Sequence, residues 1–270
     1  MIFDKSVVCP VLIGRESDLQ RLDGLMTQSQ KGSGQIALIA GEAGIGKSRL
    51  VKEVKGRAPE GTLILEGQCF QTDSALPYAP LLDLFRNYFA THDKEDTARV
   101  LTASGSQLVH LFPELTTYVA HATPSPDLDP KQEKRRLFQV LLQTIIDLAQ
   151  HKPLILVIED LHWCDSTSLE FLLLLARRIS SQPILLLITY RADETTPELT
   201  HFLAELDRER LGTEFALQHM SPLEVDTMLR TILNVDSPVG TEVQPKPPDT
   251  GSTQPASLGD AGAHRETRPP

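Results

Sequence analysis

Residues Gly41 to Ser48 read Gly-Glu-Ala-Gly-Ile-Gly-Lys-Ser and carry the pattern GxxxxGK[ST] in full. Glycines let a backbone curl until successive N–H groups point inward, where phosphate oxygens can be held. A helix that starts at such a turn adds the partial positive charge of its N-terminus. In this pattern a lysine reaches the β- and γ-phosphates of a nucleotide, and a serine hydroxyl reaches its Mg2+. The expected nucleotide-binding set is therefore Gly41, Glu42, Ala43, Gly44, Ile45, Gly46, Lys47 and Ser48, with Arg49 next on the helix.

A triphosphate site also needs carboxylates. The apolar run Leu154 to Ile158 ends in Glu159 and Asp160. Its strand is expected directly beside the one that leads into the glycine turn. Successive residues of a strand point to opposite sides, so the two acids should divide the work. Glu159 would serve the metal and Asp160 the attacking water, or the reverse. The candidate metal set is Ser48, Glu159 and Asp160. Leu161-His162-Trp163-Cys164-Asp165 follows at once and should lie near the γ-phosphate. A further apolar run, Ile184 to Ile188, leads into Thr189-Tyr190-Arg191. Ligands of open α/β sheets sit at the carboxyl edge of the strands. Arg191 could there tell a triphosphate from a diphosphate, which completes a candidate catalytic set of Asp160, Glu159 and Arg191.

The elements that must position these residues alternate along the chain. Strands are expected at Gln35 to Ala40, Thr62 to Glu66, Leu154 to Ile158, Ile184 to Ile188 and Phe215 to Leu217. Their apolar residues do not alternate with polar ones, the mark of strands covered on both faces. Helices are expected at Ser48 to Val54, Tyr78 to Ala90, Thr97 to Leu111, Gln132 to Gln150, Ser168 to Ile179 and Pro222 to Leu233. This order predicts an α/β fold: a three-layer P-loop NTPase sandwich around a parallel five-stranded sheet. Residues 1–12 lead in, 13–236 form the ATPase domain, and 67–130 form a helical insertion within it.

Composition narrows the function classes. Of 270 residues, 26 are Lys or Arg and 36 are Asp or Glu, a formal charge of −10. A chain built to grip nucleic-acid backbone needs the opposite balance, so no direct nucleic-acid binding is expected. The 3 cysteines, Cys9, Cys69 and Cys164, form no CxxC pair, which argues against a zinc knuckle or a disulfide framework. No apolar run approaches the roughly 20 residues of a membrane span. The expectation is a soluble, cytoplasmic protein with no membrane partner. From Ser237 to Pro270 the chain holds seven of its 19 prolines and four of its 16 glycines. That stretch has too little apolar surface to order itself, so residues 237–270 are expected to form a disordered tail.

Ile13-Gly14-Arg15-Glu16, GEAGIGKS, LVIEDLHWCD and LLLITYRADE, in that order, resemble the STAND-type ATPases of the origin-recognition-complex-like AAA class. Such domains head bacterial regulators of the LuxR and MalT type, some adenylate cyclases and some serine/threonine kinases. The resemblance implies ATP and Mg2+ as ligands, slow hydrolysis and a switch between closed and open states. It places Gly14, Arg15 and Glu16 near the adenine and makes Arg191 a sensor. Members of this class continue into a Gly-x-Pro motif, a winged helix and an effector. No Gly-x-Pro tripeptide occurs in 237–270, so a truncation before that module is expected. Self-association through the ATPase face, or a protein partner, fits the same resemblance. Two other functions are open to a P-loop chain: an ATP-binding interaction module with little turnover, and a small-molecule kinase with an arginine-rich lid. A GTPase is disfavoured because neither Asn87 nor Asn234 begins an Asn-Lys-x-Asp motif, and an ABC-type ATPase because no Ser-Gly-Gly-Gln occurs.

Overall fold

The computed structural model describes residues 9–73, 76–91, 108 and 129–235. Five strands run through it: β1 (Gln35–Ala40), β2 (Leu63–Gln68), β3 (Leu154–Glu159), β4 (Ile184–Tyr190) and β5 (Thr213–Ala216). All pairings are parallel, and the order across the sheet is β2-β3-β4-β1-β5. The helices are α1 (Glu16–Gln30), α2 (Lys47–Gly56), α3 (Ala79–Thr91), α4 (Pro130–His151), α5 (Ser166–Arg178), α6 (Pro197–Arg208) and α7 (Pro222–Leu233).

The pleat of the strands divides the core into two layers. Alternate residues Ala37, Ile39, Ile155, Val157, Leu185 and Leu187 face one side, where Leu19, Leu22 and Met26 of α1 and Leu50, Val51 and Val54 of α2 meet them. Ile36, Leu38, Leu156, Ile158, Leu186 and Ile188 face the other, against buried residues of α3, α4, α5 and α6. The central strands are therefore apolar throughout, because both of their faces are covered. Phe171 of α5 is fully buried and meets the Phe138 ring edge-on at 5.4 Å.

Polar caps set where helices begin. Asp129 accepts from the N–H groups of Lys131 and Gln132 at 2.9 and 3.0 Å, with Pro130 opening α4. Asp165 caps α5 through Ser168, at 2.9 Å. Ser221 and Glu224 form a reciprocal capping box on α7. Thr196 and Pro197 start α6, a helix absent from the elements expected along the chain. Its signals are present in the sequence: a cap, then Leu199, Phe202 and Leu206 at helical spacing.

One expectation is overturned. The strand that carries the acids does not lie beside β1; β4 lies between them. Two strand spacings, about 10 Å, therefore separate β3 from the strand that enters the glycine turn. Of the stretch 67–130, Gly67 and Gln68 belong to β2, residues 71–73 form a 3-10 turn, and α3 follows. The helix expected over Thr97 to Leu111 lies outside the described residues except for Leu108, which is buried in the core. The tail expected over 237–270 also lies outside them. No helix among the described residues is long and apolar enough to cross a membrane.

Candidate nucleotide site

The glycine turn joins β1 to α2 at the carboxyl edge of the sheet. Gly46 takes φ +105° as it hands the chain to α2, and Gly44 takes +76°. This left-handed region is open to glycine and strained for residues with a Cβ. The Lys47 ammonium donates to the carbonyls of Gly41 and Glu42, each at 2.8 Å. Lys47 is buried, and that burial is the main force holding its pKa below the ordinary lysine value. Asp160 opposes the shift and Arg191 adds to it, so both charges are felt at the turn.

Ser48, in the first turn of α2, donates its hydroxyl to the Glu159 carboxylate. Glu159 is the last residue of β3 and lies in register with Gln68, the last of β2. Asp160 is already off the strand. Its backbone is left-handed at φ +59°, and it caps a 3-10 turn over Leu161–Trp163. The two acids differ in direction because of that backbone twist, and the alternation expected of a strand does not apply to Asp160. The Asp160 N–H donates to the buried Thr189 hydroxyl at 3.0 Å, which fixes the twist across β4. Its carboxylate accepts from the Gln68 side-chain amide at 3.4 Å.

Beyond the acids lies a second polar group. Arg191, just past β4, donates to Glu194 Oε1 at 2.5 Å and sits 5.2 Å from the centre of the Trp163 ring. Trp163 in turn rests against His162, with 4.4 Å between ring centres. The His162 side chain is fully buried, and neither of its ring nitrogens has a hydrogen-bond partner among the described residues. Burial is the main cause of its lowered pKa, against the pull of Asp160.

The AAA ATPase domain family matches residues 11–188 of the chain. The chain belongs to the AAA ATPase domain family. An uncharacterized protein of Rhizobium meliloti (strain 1021) is 28% identical over 194 residues, which are 67% of this chain and 18% of that protein. The chain thus spans less than a fifth of that relative's length. Among solved structures, Cdc6p from Pyrobaculum aerophilum aligns with a TM-score of 0.50 at 13% identity, over 85% of this chain and 52% of that one. That likeness is one of fold. A weaker one, TM-score 0.40 at 17% identity, is to a STAND protein with a tetratricopeptide repeat sensor from Pyrococcus horikoshii, over 85% of this chain and 26% of that one.

Arg15 is buried and donates to the Gln218 carbonyl at 2.5 Å and to the Ile45 carbonyl at 3.4 Å. It thereby ties the start of α1 to the glycine turn and to the chain leaving β5. Gly14 takes φ +70°, which favours glycine, and the Glu224 side chain of α7 lies against it. Glu16 opens α1. The Arg49 guanidinium donates to the Pro10 carbonyl at 3.2 Å, toward the N-terminal segment. Glu42 and Ala43 are exposed at the rim, and Glu42 lies 3.3 Å from His219 Nε2.

Residues outside the motifs also reach this edge of the AAA ATPase domain. Gln68 and Glu194 carry no motif of their own; Gln68 meets Asp160, 92 residues away, and Glu194 meets Arg191 across a turn. Thr189 has a weak signal, a hydroxyl at a strand end. Cys164 is not an available nucleophile: a hydrogen bond with Cys69, then burial, push its pKa far up. No group of three or more His, Cys, Asp or Glu side chains that could hold a metal ion occurs among the described residues. A nucleotide-bound Mg2+ does not need one, since phosphates and waters supply most of its ligands. The Ser48–Glu159 pair beside a buried lysine fits that role.

Proposed function

We propose that this AAA ATPase domain binds ATP with Mg2+ and hydrolyses it slowly, as the nucleotide switch of a signalling or transcription-regulator-type ATPase. The observation that carries this reading is the hydrogen bond from Ser48 to Glu159, with Lys47 buried beside it. It joins the glycine turn to the acid strand across an intervening strand.

In this reading the N–H groups of Gly44 to Ser48 and the Lys47 ammonium bind the phosphates. Lys47 trades the carbonyls of Gly41 and Glu42 for β- and γ-phosphate oxygens. Ser48 and Glu159 hold Mg2+, which when bound neutralises charge on the phosphates. Asp160 orients water and accepts its proton as the water oxygen bonds to the γ-phosphorus. The bond from that phosphorus to the β–γ bridging oxygen breaks, and ADP leaves. Arg191 contacts the γ-phosphate. Gly14, Arg15 and Glu16 border the adenine, supported by the Arg15 contact with Ile45. Positioning and charge supply most of the effect in such chemistry.

A second reading, binding with negligible turnover, is favoured by the contact between Gln68 and Asp160, which engages the proposed base. The kinase reading loses support from its arginines. Arg177 and Arg208 are both paired with Glu205 and Glu209 on the outer surface of α5 and α6. The test is nucleotide affinity and phosphate release for the wild type, Lys47→Ala and Asp160→Asn. Hydrolysis predicts that Asp160→Asn binds ATP and stops releasing phosphate. Equal release by wild type and Asp160→Asn, with tight binding in both, selects the second reading.

A further inference from the structure

Glu194 stands between two groups that compete for it. Its Oε1 accepts from Arg191 at 2.5 Å, and its Oε2 lies 3.8 Å from His162 Nε2. That second separation is too long for a hydrogen bond. The His162 side chain is completely enclosed and packed on Trp163, so it cannot turn to seek a partner elsewhere. Buried polar atoms in folded proteins nearly always have a partner, and a neutral imidazole always has one nitrogen that donates. The Glu194 side chain is 43% exposed, so solvent and not packing surrounds much of it. It is the least enclosed of the three, between a buried histidine and a half-buried arginine.

Arg191 is also lightly held. Exposed ion pairs are weak, and the Trp163 ring under its guanidinium adds a modest attraction. A γ-phosphate presents more charge than one carboxylate and accepts an arginine in bidentate fashion. The cluster is within electrostatic range of the nucleotide turn, since the charges of Arg191, Asp193 and Glu194 all act on Lys47.

From this arrangement we infer that Glu194 limits how strongly the site prefers nucleoside triphosphate over diphosphate. It holds Arg191 until a γ-phosphate takes the arginine, and then turns to accept a hydrogen bond from His162. The latch rests on the ATP-binding reading above and adds a selectivity residue to it. Glu194 is a positioning residue in this account: it acts through Arg191 and does not touch nucleotide. His162 compensates the released carboxylate, so the exchange leaves neither group unpaired. A diphosphate cannot trigger it, because it has no γ-phosphate to compete for Arg191.

The chain contains its own probe, since Trp163 is its 1 tryptophan and lies between Arg191 and His162. The experiment titrates the full chain with Mg2+ and either ADP or the non-hydrolysable β,γ-imido analogue of ATP. Trp163 emission is followed, and affinity is measured separately by displacement of a fluorescent nucleotide. The analogue is expected to shift the emission and ADP to leave it unchanged. Arg191→Gln abolishes the shift. Glu194→Gln raises analogue affinity about two- to fivefold, the worth of an exposed ion pair, and leaves ADP affinity unchanged. His162→Phe keeps the ring stack and lowers analogue affinity alone. Equal emission changes with both nucleotides, or equal effects of Glu194→Gln on both affinities, overturn the latch. Wild-type chain that binds neither nucleotide overturns the ATP reading and the latch with it. Binding of both without a triphosphate-specific signal overturns the latch alone.

Discussion

Ser48 and Glu159 are 111 residues apart in the chain, and the Ser48 hydroxyl donates to the Glu159 carboxylate. They are carried by α2 and by the end of β3, strands apart in the sheet, and meet at its carboxyl edge. If both serve one Mg2+, their substitutions must not be independent. Ser48→Ala and Glu159→Gln should each raise the Mg2+ concentration needed for half-maximal phosphate release by roughly tenfold or more. The double substitution should fall well short of the product of the two, as residues sharing one ligand do. Magnesium titrations of the four proteins decide this; full additivity would show separate roles.

Lys47→Ala should weaken ATP binding by roughly 100-fold, the scale of losing charge-assisted hydrogen bonds to phosphate. Thermal stability without nucleotide should change little in comparison, because the nucleotide-free ammonium bonds to two loop carbonyls and to no element of the core. Calorimetric titration and a melting curve on the same sample separate the two effects.

Asp160→Asn should lower phosphate release by about 100-fold or more, the usual share of a general base, with ATP affinity retained. Gln68→Ala removes the amide that engages Asp160 at 3.4 Å. It should raise the turnover rate severalfold and leave affinity within about twofold, since a hydrogen bond of this kind is worth near 1 kcal/mol. Single-turnover phosphate release measures both. A fall in rate for Gln68→Ala would mean that Gln68 supports Asp160 in place of restraining it.

Stability should be concentrated in the two layers that flank the sheet. Phe171 is fully enclosed beside Phe138, so Phe171→Ala should cost about 3–5 kcal/mol in urea unfolding. Leu223 on α7 is 74% exposed, and Leu223→Ser should stay within about 0.5 kcal/mol. A large loss at Leu223 would reveal packing that the described residues do not provide.

Local patterns carried far into the structure. The glycine turn, the apolar run before Glu159 and the run before Arg191 each mark a place at the same sheet edge, and β1 and α7 have the residues expected for them. This follows because a buried strand must be apolar and a capped helix must begin at its cap. The parallel five-stranded sheet was legible in the same way, and the order of the motifs carried the resemblance to the AAA class.

Lateral order was not. Apolar strands announce their burial and say little about which neighbour they pair with, so β4 entered between β1 and β3 without any local sign. Nor does a sequence show that Asp160 leaves the strand with a left-handed twist, because its Thr189 partner lies 29 residues away. The amino-acid sequence alone determined which chemistry the chain could attempt, since that depends on residue type and near spacing. Tertiary structure decided which side chains share a charge: Ser48 with Glu159, Gln68 with Asp160, and Glu194 between Arg191 and His162. Those pairings depend on the stacking of strands in space, which no short run of residues encodes.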